Sequence, residues 1–222
     1  MPIRAVAFDA YGTLFDAHSA VLEASRSMGL DGQAFSNLWR QRQLEFTWLC
    51  SLMGRYEDFR SLTRAALDSV LQEFRIERDQ SRLERLMQAY GEPQVFPDVL
   101  PALDALSRLP LVILSNGSPE MLQAAVGCNH LESRFTQILS ADHLKIYKPS
   151  PQVYALATDS LGLSAEEILF VSSNWWDAWG AKAFGYKVCC CNRSGKPMGS
   201  LRLAPDLVVA SLDQIADSIA VQ

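Results

Sequence analysis

The sequence lacks a long uninterrupted apolar run, an excess of positive charge and a spaced cluster of metal-binding side chains. Without an apolar run of membrane-spanning length, we expect no transmembrane helix. The 25 acidic residues outnumber the 20 Lys and Arg residues, and the net charge of −5 argues against a nucleic-acid-binding protein. A few local cations could still bind a small anionic substrate. Residues 1–5 lack the pattern of a secretory signal peptide, so we expect a cytoplasmic protein.

The five cysteines are an odd number, and Cys189, Cys190 and Cys191 are adjacent. Zinc ligands are commonly about two to four residues apart, and only three histidines are available to complete a site. We therefore predict that the triplet supplies small apolar residues to a buried strand in a reducing compartment, and we expect no metal ion and no cofactor. The histidines carry no motif and are predicted to be structural or surface residues: His18, His130 and His143.

Short apolar runs that end in polar residues or turn signals recur along the chain and indicate buried strands. Hydrophobic residues make up 49% of the 222 residues, which is enough for a sizeable core. The runs lie at residues 4–9, 111–114, 168–171, 187–191 and 206–210. Helical patterns lie between them, at residues 99–109, 119–126, 151–161 and 176–184. This alternation predicts an α/β fold with a doubly wound, mostly parallel sheet, a Rossmann-like core.

The stretch from about residue 17 to residue 91 breaks the alternation, because it has helical patterns but no convincing strand. Phe35, Trp39 and Phe46 share a helical stripe, and residues 44–53 are apolar nearly all round. Further helical patterns lie at residues 56–74 and 81–90. We predict a helical cap domain, residues 17–92, inserted after the first strand of a core domain formed by residues 1–16 and 93–222.

Polar residues follow three of the predicted strands, at the sheet edge where parallel α/β proteins bind their ligands. They are Asp9, the pair Ser115 and Asn116, and residues 172–174. Lys148 lies just before a predicted helix. Each is weak evidence alone, because a carboxylate at a strand end is often only a turn or cap residue. The sheet would collect all of them in one crevice, which predicts a functional site there.

These residues lie in four segments that resemble the motifs of the haloacid dehalogenase superfamily: residues 9–14, 115–117, 148–149 and 172–177. More narrowly, residues 38–49 resemble the cap helix of the type II L-2-haloacid dehalogenases. The resemblance covers essentially the whole chain. It implies hydrolysis of the carbon–halogen bond of short L-2-haloacids, such as haloacetates and 2-halopropionates, to 2-hydroxyacids and halide.

Most members of this superfamily are magnesium-dependent phosphatases, which is the main alternative. Such enzymes resemble Asp-x-Asp-Gly-Thr, in which the second Asp is the general acid, but that position is Tyr11 here, with an ordinary pKa of about 10. Ser173 and Asn174 stand where an acidic metal ligand is expected. These differences favour a metal-independent attack on neutral carbon. A catalytically inactive binding protein of the same fold is a third alternative.

The resemblance implies that Asp9 attacks C2 of the haloacid and forms an ester with inversion, which water then hydrolyses. Thr13 and Ser172 are expected to orient Asp9. Arg40, helped by Asn116, is expected to receive the halide. Ser115 and the backbone amides near Ala10, Tyr11 and Asn116 are expected to hold the substrate carboxylate. The expected apolar wall consists of Tyr11, Gln41, Leu44, Phe59 and Trp176.

The hydrolytic water is expected to be positioned or activated by Lys148, Asn174 and Asp177, with Asp177 as the base and Tyr154 as an anchor. The expected partners are the haloacid and halide, with no nucleic acid and no membrane. The apolar residues 44–53 exceed what one helix face needs to bury. This predicts a homodimer through the cap helix, which the resemblance also implies.

Overall fold

The first apolar run forms strand β1 (Ala5–Phe8), an inner strand of an all-parallel sheet. The computed structural model describes residues 2–26, 29, 31–197, 199 and 201–220. The other strands of the described chain are β2 (Leu111–Ser115), β3 (Gln137–Ser140), β4 (Ile168–Ser172), β5 (Lys187–Cys191) and β6 (Leu207–Val209). Their order is β3-β2-β1-β4-β5-β6, and helices flank the sheet. The predicted α/β fold with a parallel sheet is confirmed.

The central strands β1, β2 and β4 are buried along their whole length, because helices cover the sheet. Phe8 of β1 is paired with Ile113 of β2 and with Val171 of β4. The residues that follow these partners therefore lie at one edge of the sheet. This register brings the three predicted strand-end motifs together.

Strand β3 was not predicted. Only Ser140 of its four residues is buried, so its sequence shows no continuous apolar run. It is an edge strand, and edge strands need less apolar surface than central ones. Strand β5 was predicted, and its cysteine triplet is buried as expected. Burial raises the pKa of Cys190 to about 11, which keeps that thiol protonated.

In the part of the chain that carries the sheet, the structure describes five α-helices: α5 (Val99–Ala105), α6 (Pro119–Cys128), α7 (Pro151–Leu161), α8 (Trp175–Phe184) and α9 (Ile215–Ala220). Helix α6 begins after Ser118, whose side chain accepts a hydrogen bond from the amide of Met121. Helix α7 has the predicted bounds, whereas α5 ends four residues before the predicted residue 109.

Four helices of the described residues lie between β1 and α5: α1 (Ala17–Arg26), α2 (Gly32–Met53), α3 (Phe59–Glu73) and α4 (Gln80–Gly91). All regular structure described for residues 17–91 is helical. Helix α2 begins after the capping residue Asp31 and ends at Gly54, which has a φ of 64°. It packs against α3, where the Trp39 indole donates a hydrogen bond to the carbonyl of Thr63. The division into core and cap domains stays a prediction, and its outer ends, Met1 and Gln222, lie outside the described residues.

Aromatic rings join these helices to the loops at the sheet edge. Tyr11 stacks on Tyr90 with ring centroids 5.5 Å apart, and Trp48 meets Trp176 edge-on at 5.6 Å. The four-helix unit therefore lies over the edge where the motifs converge. Within the described ranges, no helix is both long and apolar enough to cross a membrane.

Candidate active site

Asp9 follows β1, and one of its carboxylate oxygens is held by three donors from two segments of the chain. Its Oδ2 accepts hydrogen bonds from Asn174 Nδ2 at 2.7 Å, Thr13 Oγ1 at 3.0 Å and Ser172 Oγ at 3.4 Å. The turn that brings Thr13 back to Asp9 passes through Gly12, whose φ of 87° suits glycine. Because Oδ2 is held by these donors, the orientation of the carboxylate is fixed.

Lys148 lies between Asp9 and a second carboxylate, Asp177. Its Nζ is 3.2 Å from Asp9 Oδ1 and 2.9 Å from Asp177 Oδ2, and the side chains of Lys148 and Asp177 are 1% and 0% exposed. Burial opposes the charge on the ammonium, but the two carboxylates outweigh that effect and raise the pKa of Lys148. Lys148 therefore stays positively charged at neutral pH.

Burial raises the pKa of Asp177 to about 6, against the lowering effect of Lys148. Tyr154 donates a hydrogen bond to Asp177 Oδ1 at 2.8 Å, and the amide of Lys148 donates to Asn116 Oδ1 at 2.9 Å. The structure thus places Tyr154 with Asp177, and Asn116 with Lys148. Asp177 can take up a proton near neutral pH, which makes it chemically suited to act as a base.

A narrow cavity of about 10 Å³ opens beside Asp9, between the sheet edge and helices α2 and α3. Eight predicted residues line it: Asp9, Tyr11, Arg40, Leu44, Phe59, Ser115, Asn116 and Trp176. Most of the wall is apolar, with Arg40 as its cation. The space is about that of one water molecule, so the wall side chains must shift to admit even a small organic ligand.

Gln41 is the exception among the predicted wall residues, because it does not line this cavity. Its side chain is exposed and donates a hydrogen bond to Glu45 at 2.9 Å. Gln41 and Arg40 are consecutive on α2 and so point in directions about 100° apart. Ala10 is buried in the turn after Asp9, where its carbonyl accepts the amide of Leu14 at 2.8 Å.

Gln43 and Tyr90 were not predicted, yet both hold Arg40. Arg40 Nη1 donates to Gln43 Oε1 at 2.7 Å and to the Tyr90 hydroxyl at 3.1 Å. The signal for Gln43 was its position three residues after Arg40, which puts the two on one face of a helix. Tyr90 comes from the distant helix α4, and its sequence position gave no signal.

Arg193 was also not predicted. It stabilises the turn that carries Thr13. It forms a two-pronged ion pair with Asp98, with both N–O distances 2.8 Å, and Nη2 donates to the carbonyl of Thr13 at 2.9 Å. Its Nη1 donates to Ser173 Oγ at 3.2 Å. An isolated arginine in a loop carries no motif. His130 and His143 are exposed and His18 hydrogen-bonds Ser36, as expected of structural or surface residues.

The residues present do not fit a divalent cation of the kind that phosphatases of this fold use. Asp9 and Asp177 are the carboxylates available at the sheet edge, and the Lys148 ammonium already pairs with both. Asn174 presents its NH₂ group, not its oxygen, to Asp9. No group of three or more His, Cys, Asp or Glu residues within the described ranges has the arrangement of a metal site. Burial also raises the pKa of Tyr11, which keeps its phenol protonated at neutral pH.

Comparison with known proteins places the chain in a family. The family model described as haloacid dehalogenase-like hydrolase matches residues 3–185. (S)-2-haloacid dehalogenase 4A of Burkholderia cepacia is 46% identical over 197 residues, 88% of this chain and 85% of the relative. Haloacetate dehalogenase H-2 of a Moraxella species is 43% identical over 221 residues, 99% of both.

A solved structure of L-2-haloacid dehalogenase from Xanthobacter autotrophicus, with chloropropionic acid covalently bound, superposes with a TM-score of 0.91 at 39% identity, covering 98% of each chain. The chain therefore belongs to the haloacid dehalogenase-like hydrolases, and the expected resemblance to the L-2-haloacid dehalogenases is confirmed.

Proposed function

We propose that this enzyme hydrolyses short L-2-haloacids to 2-hydroxyacids and halide through an ester on Asp9, without a metal ion. The observation that carries the proposal is the position of Asp9. Its carboxylate lies at the wall of a small, largely apolar cavity that also contains Arg40, and a buried ammonium stands beside it. The relatives named as (S)-2-haloacid and haloacetate dehalogenases support the substrate class.

In the first step, a carboxylate oxygen of Asp9 attacks C2 from the side opposite the halogen. The C–O bond forms as the C–halogen bond breaks, the electron pair leaves with the halide, and the configuration at C2 inverts. No proton is needed by the leaving group. Ser115, Asn116 and nearby backbone amides hold the substrate carboxylate, and the Arg40 guanidinium receives the halide.

In the second step, water attacks the carbonyl carbon of the Asp9 ester, and Asp177 accepts one proton of the water. The bond between the carbonyl carbon and the bridging oxygen, which Asp9 supplied in the first step, then breaks. Asp177 returns its proton to that oxygen, so the D-2-hydroxyacid leaves from an L-substrate, and the new Asp9 carboxyl group loses its remaining proton to solvent. Asn174 and Lys148 hold the carboxyl group of Asp9 during this step. The covalently bound chloropropionic acid in the Xanthobacter relative supports an ester intermediate.

The positive charge of Lys148 replaces the charge that a metal ion supplies in phosphatases of this fold. Its ammonium offsets the charge of two neighbouring carboxylates and leaves Asp9 able to approach a neutral carbon. A phosphoryl group carries negative charge that would repel Asp9, and it requires stronger neutralisation. The charge balance of this site therefore favours a halogenated carbon.

The test is halide release from fluoro-, chloro- and bromoacetate and from L-2-chloropropionate, in metal-free buffer with excess EDTA. We expect release from at least the chloro and bromo compounds, and none from the Asp9→Asn variant. No halide release by the wild type, together with magnesium-dependent cleavage of a phosphate ester, would support the phosphatase alternative instead. Normal dehalogenation by Asp9→Asn would exclude the ester mechanism.

The proposal includes a homodimer through α2. Leu49, Leu52 and Met53 are 50%, 85% and 60% exposed on one end of this helix, next to an apolar groove lined by Trp48 and Ile146. We expect the Leu52→Glu variant to sediment as a monomer while the wild type sediments as a dimer. Leu201→Glu is the matched control, because Leu201 is also exposed but lies elsewhere in the chain.

We also propose that residues 17–92 form a cap domain on a core made of residues 1–16 and 93–222. The helices of the first group and the sheet of the second support this division. A reducing cytoplasm is the proposed location.

A further inference from the structure

Gln43 is a fully buried amide in the middle of helix α2. Its Oε1 accepts hydrogen bonds from Arg40 Nη1 and from the Tyr90 hydroxyl, both at 2.7 Å, and its Nε2 donates to Thr63 Oγ1 at 2.5 Å. A buried amide is costly unless its donors and acceptors are paired. At this position a leucine would pack without that cost, so the role of the amide lies in its hydrogen bonds and not in its packing.

The hydrogen-bond directions in this cluster follow from one hydroxyl group. Thr63 Oγ1 donates its proton to the carbonyl of Phe59 at 2.6 Å, so toward Gln43 it can only accept. Gln43 must therefore present its NH₂ group to Thr63 and its oxygen to the other side. That oxygen faces Arg40 and Tyr90, and the cluster has one consistent orientation.

The same logic fixes the guanidinium of Arg40. One N–H of Nη1 goes to Gln43 and the other goes to the Tyr90 oxygen, whose own proton goes to Gln43. Within the described part of the chain, the hydrogen bonds of this guanidinium all use Nη1. Because the group is planar, holding Nη1 at two points fixes the directions of Nε and Nη2.

We propose that Gln43 is a positioning residue for halide release: with Tyr90, it aims the Nε and Nη2 groups of Arg40 at the departing halide. This inference rests on the proposed function. A preorganised donor stabilises developing negative charge without reorganising during the reaction. Without Gln43, the guanidinium would have to be ordered in each turnover, and both halide affinity and the rate of carbon–halogen cleavage would fall.

The tested variants are Gln43→Met and Tyr90→Phe. Methionine keeps the length of the side chain but removes the acceptor, and phenylalanine keeps the ring that stacks on Tyr11 while removing the hydroxyl. The matched control is Gln33→Met, the same substitution at an exposed position of the same helix. Two halide readouts are measured: competitive inhibition of turnover by bromide, and saturable quenching of tryptophan fluorescence by iodide without turnover.

We expect Gln43→Met to weaken bromide and iodide binding by about ten- to hundredfold, the range for losing a hydrogen bond to a charged group. Its kcat should fall more for chloroacetate than for bromoacetate, since chloride is the poorer leaving group. Tyr90→Phe should change both readouts in the same direction by a smaller factor. Gln33→Met should stay within about twofold of the wild type.

A folded Gln43→Met with wild-type halide affinity and an unchanged chloride-to-bromide rate ratio would overturn the proposal, even if its overall rate were lower. If Gln43→Met does not fold, Tyr90→Phe decides, and unaltered halide binding in it counts against the proposal. The dehalogenase assay and the halide measurements together separate the proposed function from the proposed role of Gln43. A wild type without dehalogenase activity defeats the proposed function, whereas an active wild type with variants of unchanged halide affinity defeats only the role of Gln43.

Discussion

The Lys148 ammonium lies 2.9 Å from the Asp177 carboxylate, and both side chains are almost completely enclosed by protein. Neither charge has water to stabilise it, so each depends on the other and on Asp9. Removing one member of such a buried set leaves an uncompensated charge, which is more damaging than losing a surface ion pair.

We expect Lys148→Met to lower the free energy of unfolding by roughly 3–5 kcal/mol, because two buried carboxylates then face each other without a cation. Dehalogenation should be abolished in the same variant. Urea unfolding followed by circular dichroism measures the stability. Lys145→Met is the control: Lys145 is exposed and pairs with Asp142 at 2.9 Å, so its loss should cost less than about 1 kcal/mol. Equal losses in the two variants would contradict this account of the buried pair.

The pH dependence of turnover should report the protonation of Asp177. Burial raises the pKa of Asp177 to about 6, and a base must be unprotonated to accept the water's proton. In the ester, Asp9 has lost the charge that helps to raise the pKa of Asp177. The kcat for ester hydrolysis should therefore decrease by about tenfold per pH unit at acidic pH, with a midpoint lower than that of the free enzyme, and reach a plateau above it. For stability the sign is reversed: the folded state holds this proton more tightly than the unfolded chain, so the contribution of Asp177 decreases as pH rises from its ordinary range toward 6.

Asp177→Asn separates the two chemical steps. The first step needs only Asp9 and the halide site, so this variant should form the ester and fail to hydrolyse it. Intact-mass spectrometry after incubation with L-2-chloropropionate should then show a stable adduct on Asp9. An Asp177→Asn variant that turns over normally, with the same pH profile, would show that another group is the base.

The sheet and the residues at its edge could be predicted because buried parallel strands leave a strong sequence pattern. Asp9, Ser115 and Ser172 each end or follow an apolar run, and parallel pairing then determines that they meet. Edge strand β3 escaped because its residues are only partly buried. That Gln41 does not line the cavity was not predicted for a different reason. The second half of α2 is apolar on nearly every side, so the sequence does not reveal which face meets the cavity.

Contacts that depend on distant packing could not be predicted at all. Tyr90 reaches Gln43 from 47 positions further along the chain, and Arg193 reaches Thr13 from 180. Hydrogen bonds of this kind leave no periodicity, because only the relative placement of two elements creates them. The motif residues of the site were therefore predicted, while Tyr90 and Arg193, which hold site residues through long-range hydrogen bonds, were not.

Arg193 should affect both stability and catalysis through the turn that carries Thr13. We expect Arg193→Met to lower the free energy of unfolding by roughly 2–4 kcal/mol, because Asp98 loses a two-pronged partner and the carbonyl of Thr13 loses its donor. Since Thr13 orients Asp9, kcat should fall more than KM rises. The control is Arg4→Met, which removes a largely exposed ion pair with Glu167 and should change stability by less than about 1 kcal/mol. A destabilised Arg193→Met with wild-type kcat would show that the bracing has no catalytic consequence.

The size of the cavity should limit the chain length of the substrate, and Leu44 is the wall residue whose shortening tests this. Leu44→Ala shortens an apolar side chain in the wall and so widens this narrow cavity without touching the polar groups around Asp9. The ratio of kcat/KM for 2-chlorobutanoate to that for 2-chloropropionate should rise by about tenfold, within the range that one methylene group contributes in an apolar pocket. Leu38→Ala, a partly buried leucine on the same helix that does not line the cavity, should leave the ratio unchanged. If both variants show the wild-type ratio, Leu44 does not set the limit, and the selection of chain length depends on another part of the wall.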